Sequence, residues 1–380
     1  MDEQAVYRFD IHVPETVLDD LRARLAATRW PEPEPVDDWS QGVPSAYLRS
    51  LCRSWQHDYD WRATERLLNG LDQFTTSIDG LELHFLHQRS PHADAVPLIL
   101  SHGWPSSVLE FRHVIGPLTD PCAHGSTSDQ AFHVVAPSLP GFGFSAKPAT
   151  TGWTVDRTAS AFARLMERLG YRWFMAQGGD WGSAVTAAMG ALHPEQCRGI
   201  HVTMAMGARP VEGDDSPQAR RALERLAHYR RWDSGYSKQQ STRPQTIGYA
   251  LTDSPVGQAA WIAEKYQAWT DCDGHPENAI GRNELLDTVT LYWITATAAS
   301  SARLYWESFG RGPAHIVNVP SAVTVFPCEI IPPVRSWVEQ TFTDLRHWSE
   351  RERGGHFAPL EVPEVFVDEL RAAAANLGLR

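Results

Sequence analysis

One stretch of the chain pairs a nucleophile with the backbone needed to present it: Gln177-Gly178-Gly179-Asp180-Trp181-Gly182-Ser183. It follows a short apolar run and leads into an Ala-rich segment. That is the strand–turn–helix setting of a nucleophile elbow, with Asp where Ser stands in G-x-S-x-G. Small flanking residues suit such a turn because it is strained and its backbones approach closely, and the helix N-terminus favours the charge on Asp180. An Asp after a Gly turn is also an ordinary helix N-cap, so a second feature has to decide. His102-Gly103-Trp104-Pro105 supplies it. This tight turn follows another apolar run and can aim the Trp104 N–H at a point shared with the Trp181 N–H, giving the two donors of an oxyanion hole. His102 itself reads as a turn residue with a satisfied side chain rather than a base, and Pro105 is a candidate for a cis bond.

The base must come from elsewhere. Gly354-Gly355-His356-Phe357 precedes the last helical segment and suits an imidazole at the C-terminal edge of a sheet, although a lone histidine is more often structural. An acid to orient it belongs on the loop after the preceding strand, where Phe326-Pro327-Cys328-Glu329 places Glu329, 27 residues before His356. Asp344, Glu350 and Glu352 are rival acids that read as solvated helix or variable loop. The chain order nucleophile, acid, histidine is that of α/β-hydrolases. Three other signals lead nowhere. Gly141-Phe-Gly-Phe-Ser-Ala146 satisfies G-x-G-x-x-A, but Pro137, Pro140 and Pro148 forbid the helix a dinucleotide site requires. His84 and His87 fall on opposite faces of a strand pattern. H-E-x-x-H and the P-loop are both missing, so neither metal nor cofactor is expected.

The elements that would hold these residues follow from periodicity. Residues 15–29, 45–55 and 61–71 read as helices, and the strongly alternating 74–86 reads as a hairpin turning at Asp79-Gly80. Val96–Leu100, Phe132–Ala136 and Trp173–Ala176 are buried-strand runs, with helical segments at 107–117 and 155–169 between them. Such alternation means a parallel α/β sheet. Residues 216–232, 255–269 and 284–300 read as helices, Ala322–Phe326 as a strand, and 334–340 and 362–377 again as helices. The chain thus divides into an N-terminal helical extension (1–72), a core (73–206), a helical cap (207–318) and a return to the core (319–380).

Composition narrows the class. With 380 residues, 42% hydrophobic and 21% charged, the chain is an ordinary globular sequence. A net charge of −12 without a basic face argues against nucleic acid and anionic membranes as partners. Five widely spaced cysteines without a C-x-x-C fit a reducing compartment, and the start at Met1-Asp-Glu-Gln4 resembles no leader, so a cytoplasmic location is expected. Of 34 cations only Lys147, Lys238 and Lys265 are lysines, and the 15 tryptophans point to apolar pockets.

Taken together, Trp30-Pro31, Tyr59-Asp-Trp-Arg62, Phe85-Leu-His87, His102-Gly-Trp-Pro105, Pro137–Ser145, Gly178–Ser183, Asp253–Gly257, Phe326-Pro-Cys-Glu329 and Arg353-Gly-Gly-His356 carry a resemblance over nearly the whole chain. It resembles the microsomal-type epoxide hydrolases, α/β-hydrolase-fold enzymes with an N-terminal extension. Without an apolar N-terminal helix it looks like a soluble bacterial relative, and its Arg bias suggests a setting such as enediyne biosynthesis. The resemblance implies hydrolysis of an epoxide to a vicinal diol through an alkyl-aspartate ester, with epoxide and water as partners, no cofactor, and a homodimer as one possible assembly. It also implies two cap tyrosines gripping the epoxide oxygen. Local match gives Tyr236 and Tyr305, with Tyr292 a rival for the second. Haloalkane dehalogenase shares an Asp nucleophile and the Trp after it but needs halide donors. A non-catalytic ligand-binding relative is the reading from a different class, and a serine esterase is disfavoured because Ser183 lies three residues past the apex.

Overall fold

The computed structural model describes residues 5–310 and 315–379; the Met1–Gln4 start, read above as no leader, lies outside them. Nine strands form one sheet: β1 (Val6–Arg8), β2 (Gln73–Ile78), β3 (Leu81–Gln88), β4 (Val96–Ser101), β5 (Phe132–Pro137), β6 (Phe174–Gly178), β7 (Cys197–Val202), β8 (Ser321–Val325) and β9 (Leu345–Glu350). Their order is β1-β2-β3-β5-β4-β6-β7-β8-β9. Strands β1, β2, β3 and β5 pair antiparallel, and the run from β5 through β4 to β9 is parallel. This is the parallel α/β sheet expected from the alternation of strands and helices, in the α/β-hydrolase arrangement that the resemblance implies. The hairpin turns at Asp79 and Gly80, both at positive φ, the geometry a two-residue turn needs between twisted strands.

Apolar continuity explains the central strands. Leu98, Ile99 and Leu100 of β4, Val134 to Ala136 of β5 and Phe174 to Ala176 of β6 are all fully buried, because helices cover both faces. Helices Val155–Arg168 and Asp180–Leu192 pack beside each other, and Pro363–Leu377 lies against β7, β8 and β9. Strands β1, β7 and β9 were not anticipated. β7 reads Cys-Arg-Gly-Ile-His-Val and β9 reads Leu-Arg-His-Trp-Ser-Glu, so polar residues interrupt the apolar run. β9 is an edge strand, partly exposed along its length, and sheet pairing rather than burial defines it. Consequently Glu350 ends a strand and Asp344 precedes one, instead of lying in helix or variable loop. Asp344 is paired with Arg346 at 2.7 Å.

The expected helix 107–117 is two short pieces, Val108–Phe111 and Ile115–Thr119, with a break at Arg112–Val114. The expected 284–300 helix is also two, Arg282–Thr295 and Ala298–Ser308, separated where Ala296 adopts φ 49°. Two cap helices, Gly235–Thr242 and Pro244–Asp253, were not foreseen; the first is polar enough to hide its period. In the N-terminal region, helices Ser45–His57 and Trp61–Asn69 dock on the cap rather than on the sheet alone. Trp55 Nε1 donates to Thr290 Oγ1 at 2.8 Å, and Asp287 accepts from Tyr59 Oη at 2.6 Å, from Thr64 Oγ1, and from Arg112 Nη1 at 2.6 Å.

Candidate active site

Four loops at the C-terminal ends of parallel strands meet above the sheet, the place where open α/β sheets present chemistry. After β6 the chain turns at once into helix Asp180–Leu192, with Asp180 at φ 47°. A non-glycine residue in that region is strained, and the packing around it enforces the conformation. A Cβ on Gly178 would lie 2.1 Å from the Gly182 carbonyl oxygen, and one on Gly182 would lie 1.8 Å from that of Ser101. The glycines are therefore what lets β4, β6 and the helix come together. The carboxylate of Asp180 sits against the loop after β4: Trp104 N–H donates to Oδ1 at 2.9 Å, and a Cβ on Gly103 would reach that oxygen at 2.2 Å. The Trp104–Pro105 bond is cis. His102 is buried, its Nε2 accepting from Leu139 N–H at 3.2 Å, a turn residue as expected.

The loops after β8 and β9 bring the other two groups. His356 Nδ1 lies 2.6 Å from Glu329 Oε1, and His356 Nε2 lies 3.6 Å from Asp180 Oδ2. Glu329 Oε1 also accepts from Ile330 N–H at 2.7 Å, whereas Oε2 is buried without a partner. A parallel bridge between Cys328 and Gly355 ties the two loops together, so the carboxylate and imidazole are positioned by one piece of backbone pairing.

Burial raises the Asp180 pKa, opposed by the charge of His356 and by the Trp181 and Trp104 N–H groups. For His356, burial alone would lower the pKa, but the charge and hydrogen bond of Glu329, with the charges of Asp180 and Glu110, overcome it and raise the value to about 9. At rest the imidazole therefore keeps its proton, set between Asp180 and Glu329.

The cap closes over this set with aromatic rings. Tyr236, near the start of helix Gly235–Thr242, stacks on the Trp104 indole with centroids 5.0 Å apart. Tyr305, in helix Ala298–Ser308, meets the Trp181 ring edge-on at 4.9 Å and Tyr236 at 5.8 Å. Asp180, Tyr236 and Tyr305 line one cavity of about 780 Å³. Burial first, then the charge of Asp180 among others, holds both phenols well above their ordinary pKa, so they remain donors. Tyr305 Oη is buried with no hydrogen-bond partner. Tyr292 differs: its hydroxyl donates to the Ser106 carbonyl at 3.1 Å, and it does not line that cavity.

Sequence reasoning missed three contributors. Trp269, the last residue of helix Pro255–Trp269, accepts from His356 N–H at 2.9 Å and packs its ring 5.1 Å from the imidazole. Lys265 is buried in the same helix, with Nζ 4.7 Å from the Tyr236 ring centroid and ion-paired to Glu264 at 2.7 Å. Glu110 is buried near the dyad, and burial raises its pKa to about 7. Trp269 and Lys265 lie in a helical pattern that gives no sign of which face meets the sheet; Glu110 lies just past the His102-Gly103 turn, and that proximity is the one signal that could have marked it. Among the described residues no cluster of His, Cys, Asp and Glu is arranged to hold a metal, and no helix is long and apolar enough to cross a membrane.

Comparison with known proteins bears on the chain as a whole. The model of the epoxide hydrolase N terminus matches residues 6–111, and that of the alpha/beta hydrolase fold matches residues 96–294. A Stigmatella aurantiaca protein assigned as an epoxide hydrolase is 51% identical over 97% of this chain and 84% of its own. Epoxide hydrolase 1 of Sus scrofa is 35% identical over 97% of this chain and 88% of its own. Among solved structures, juvenile hormone epoxide hydrolase from the silkworm Bombyx mori superposes with a TM-score of 0.90 at 30% identity, covering 98% of this chain and 95% of that one. The Aspergillus niger epoxide hydrolase does so at 0.89 and 31%, covering 98% and 97%.

Proposed function

The chain belongs to the epoxide hydrolases of the α/β-hydrolase fold, and from that premise we propose that it opens its substrate through an ester on Asp180 and hydrolyses that ester with His356. The observation that carries the reading is the arrangement of the carboxylate. Asp180 Oδ1 is held by Trp104 N–H, while Oδ2 lies on the His356 side.

In the first half-reaction an Asp180 oxygen attacks an epoxide carbon and the C–O bond of the ring breaks. Tyr236 and Tyr305 donate hydrogen bonds to the ring oxygen, whose charge grows as that bond breaks; a phenol proton passes to the alkoxide to complete the hydroxyl, and the phenolate is reprotonated through solvent by the proton that His356 releases. Tyr305, with no competing partner, is ready to donate. Ester formation removes the negative charge of Asp180, one of the groups that hold the proton on His356. The imidazole then gives up its proton more readily and becomes the base. In the second half-reaction neutral His356, oriented by Glu329, takes a proton from water. The resulting hydroxide attacks the ester carbonyl carbon and the N–H groups of Trp104 and Trp181 hold the oxyanion; on its collapse the C–O bond to the diol breaks, the departing oxygen takes the proton from His356, and the new carboxylic acid of Asp180 returns its proton to the imidazole to restore the resting pair. The cavity and its aromatic rim suit an apolar or aromatic epoxide, and catalysis needs no cofactor. We also assign the helical extension, the two core parts and the cap the boundaries 1–72, 73–206, 207–318 and 319–380.

His356→Gln tests this directly. Incubated with styrene oxide, a substrate of matching chemistry, the variant should gain one substrate mass on the peptide containing Asp180, and Asp180→Asn should gain none. A His356→Gln protein that stays unmodified while the wild type makes diol would refute the scheme.

A further inference from the structure

Resting on the hydrolase reading, we propose that the preferred substrate is an amphiphile: an epoxide on an apolar body that carries an anionic group, held by the exposed Arg209, Arg230 and Lys238 that line the cavity. These cations come from three separate segments. Arg209 lies on the loop after β7, Arg230 on the wide turn Tyr229–Asp233, and Lys238 on the helix that carries Tyr236. All three are exposed, and all three line the cavity that ends at Asp180. Apart from the nucleophile, no acidic residue lines it among the described residues.

The chain carries a net −12, so three cations lining one cavity run against the overall charge of the molecule. The side chains of Arg209, Arg230 and Lys238 make no hydrogen bond or ion pair among the described residues. In an otherwise negative molecule such a patch concentrates anions at the cavity. The walls between mouth and nucleophile are apolar, including Phe309, Ile330, Ile331 and Trp337. At about 780 Å³ the space falls within the range that encloses a drug-sized molecule, well beyond a two-carbon epoxide with a small substituent. Apolar walls ending in cations fit a lipophilic body with its epoxide inward and a carboxylate or similar anion outward.

The probes are ω-epoxy heptanoate, ω-epoxy undecanoate and the methyl ester of each, compared by kcat/KM. The proposal expects the free acid to exceed its ester by about 10-fold for at least one length, with the advantage shrinking between ~0.01 M and ~0.5 M salt as screening sets in. In the triple variant Arg209→Gln, Arg230→Gln, Lys238→Gln the acid-to-ester ratio should fall to about 1. Because the readout is a ratio within one protein, a general loss of activity cancels. Esters and acids turned over equally at low salt, or an acid preference that survives the triple substitution, would overturn the anion site and leave the hydrolase reading intact. Turnover of none of the four by the wild type would instead count against the hydrolase reading, and the inference would fall with it.

Discussion

The two halves of the reaction ask opposite things of one histidine. His356 must be neutral to take a proton from water, yet its surroundings raise its pKa to about 9. The ester intermediate resolves this by removing the charge of Asp180, so ester hydrolysis in a single turnover should titrate with an apparent pKa below 9, its rate rising with pH to a plateau. An apparent pKa at or above 9 would show that the charge of Asp180 does not matter to His356. Glu329 acts through the imidazole, and Glu329→Gln should slow hydrolysis about 10²- to 10³-fold while alkylation persists, visible as accumulated ester. The tyrosines separate by half-reaction as well. Tyr305→Phe and Tyr236→Phe should each slow alkylation by about 10- to 100-fold, and the double variant by more. Tyr292→Phe should affect alkylation little, since its hydroxyl is already given to Ser106. Rapid-quench measurement of ester formation distinguishes these outcomes. If Tyr292→Phe were the variant that lost alkylation, the assignment of Tyr305 would be wrong.

At the level of elements, the site depends on three backbones approaching more closely than side chains allow. Gly182→Ala would set a methyl 1.8 Å from the Ser101 carbonyl, backbone against backbone, and should destabilise the protein by about 3 kcal/mol or prevent folding. The three atoms nearest a methyl on Gly103 all belong to the Asp180 side chain, so Gly103→Ala should cost less stability than Gly182→Ala while abolishing alkylation, because the carboxylate is pushed from the Trp104 N–H. Circular dichroism melts beside ester trapping would separate the two. This turn was also the most legible part of the sequence. Asp180, its glycines and the donor at Trp104 lie within two short segments, each following an apolar run, and local chemistry specified them. Glu329 was legible because it follows a strand end and His356 because it precedes the last helix; β9, which leads to His356, was invisible as an edge strand with polar residues. The two tyrosines were named only through resemblance. Nothing local separates Tyr236, Tyr292 and Tyr305, because which face of a cap helix meets the site depends on contacts far away in sequence. Trp269 and Lys265 escaped for the same reason.

Two properties belong to the whole molecule. The first is its stability as a function of pH. Burial lowers the pKa of His84 and His201 to about 3 and of His87 and His102 to about 4, so each stays neutral in the fold but takes a proton when unfolded below about 6.5. Their stabilisation is therefore lost as pH falls from 6.5. Glu110 and Glu361, raised to about 7 by burial, act in the opposite sense between 4.5 and 7, but they are two groups against four. His356 governs the other flank. Raised from 6.5 to about 9, it contributes fully below 6.5, and that contribution is lost as pH rises through 9. The melting temperature should peak near pH 6.5 and fall on both sides, and His356→Gln should flatten the alkaline flank. The second property is the union of extension, core and cap. Asp287 of the cap accepts hydrogen bonds from Tyr59 and Thr64 of the extension and from Arg112 of the core, and both members of the Asp287–Arg112 ion pair are buried. Removing one member of such a pair strands the other charge, so Asp287→Leu should cost about 3 to 5 kcal/mol. It should also expose the 30–45 segment to protease before the core melts. Arg112→Met in the same chain removes the stranded charge, so the double variant should recover much of that loss. Were the single and double variants equally unstable, the penalty would come from the hydrogen bonds of Tyr59 and Thr64, and the extension would be held by those two residues rather than by the ion pair.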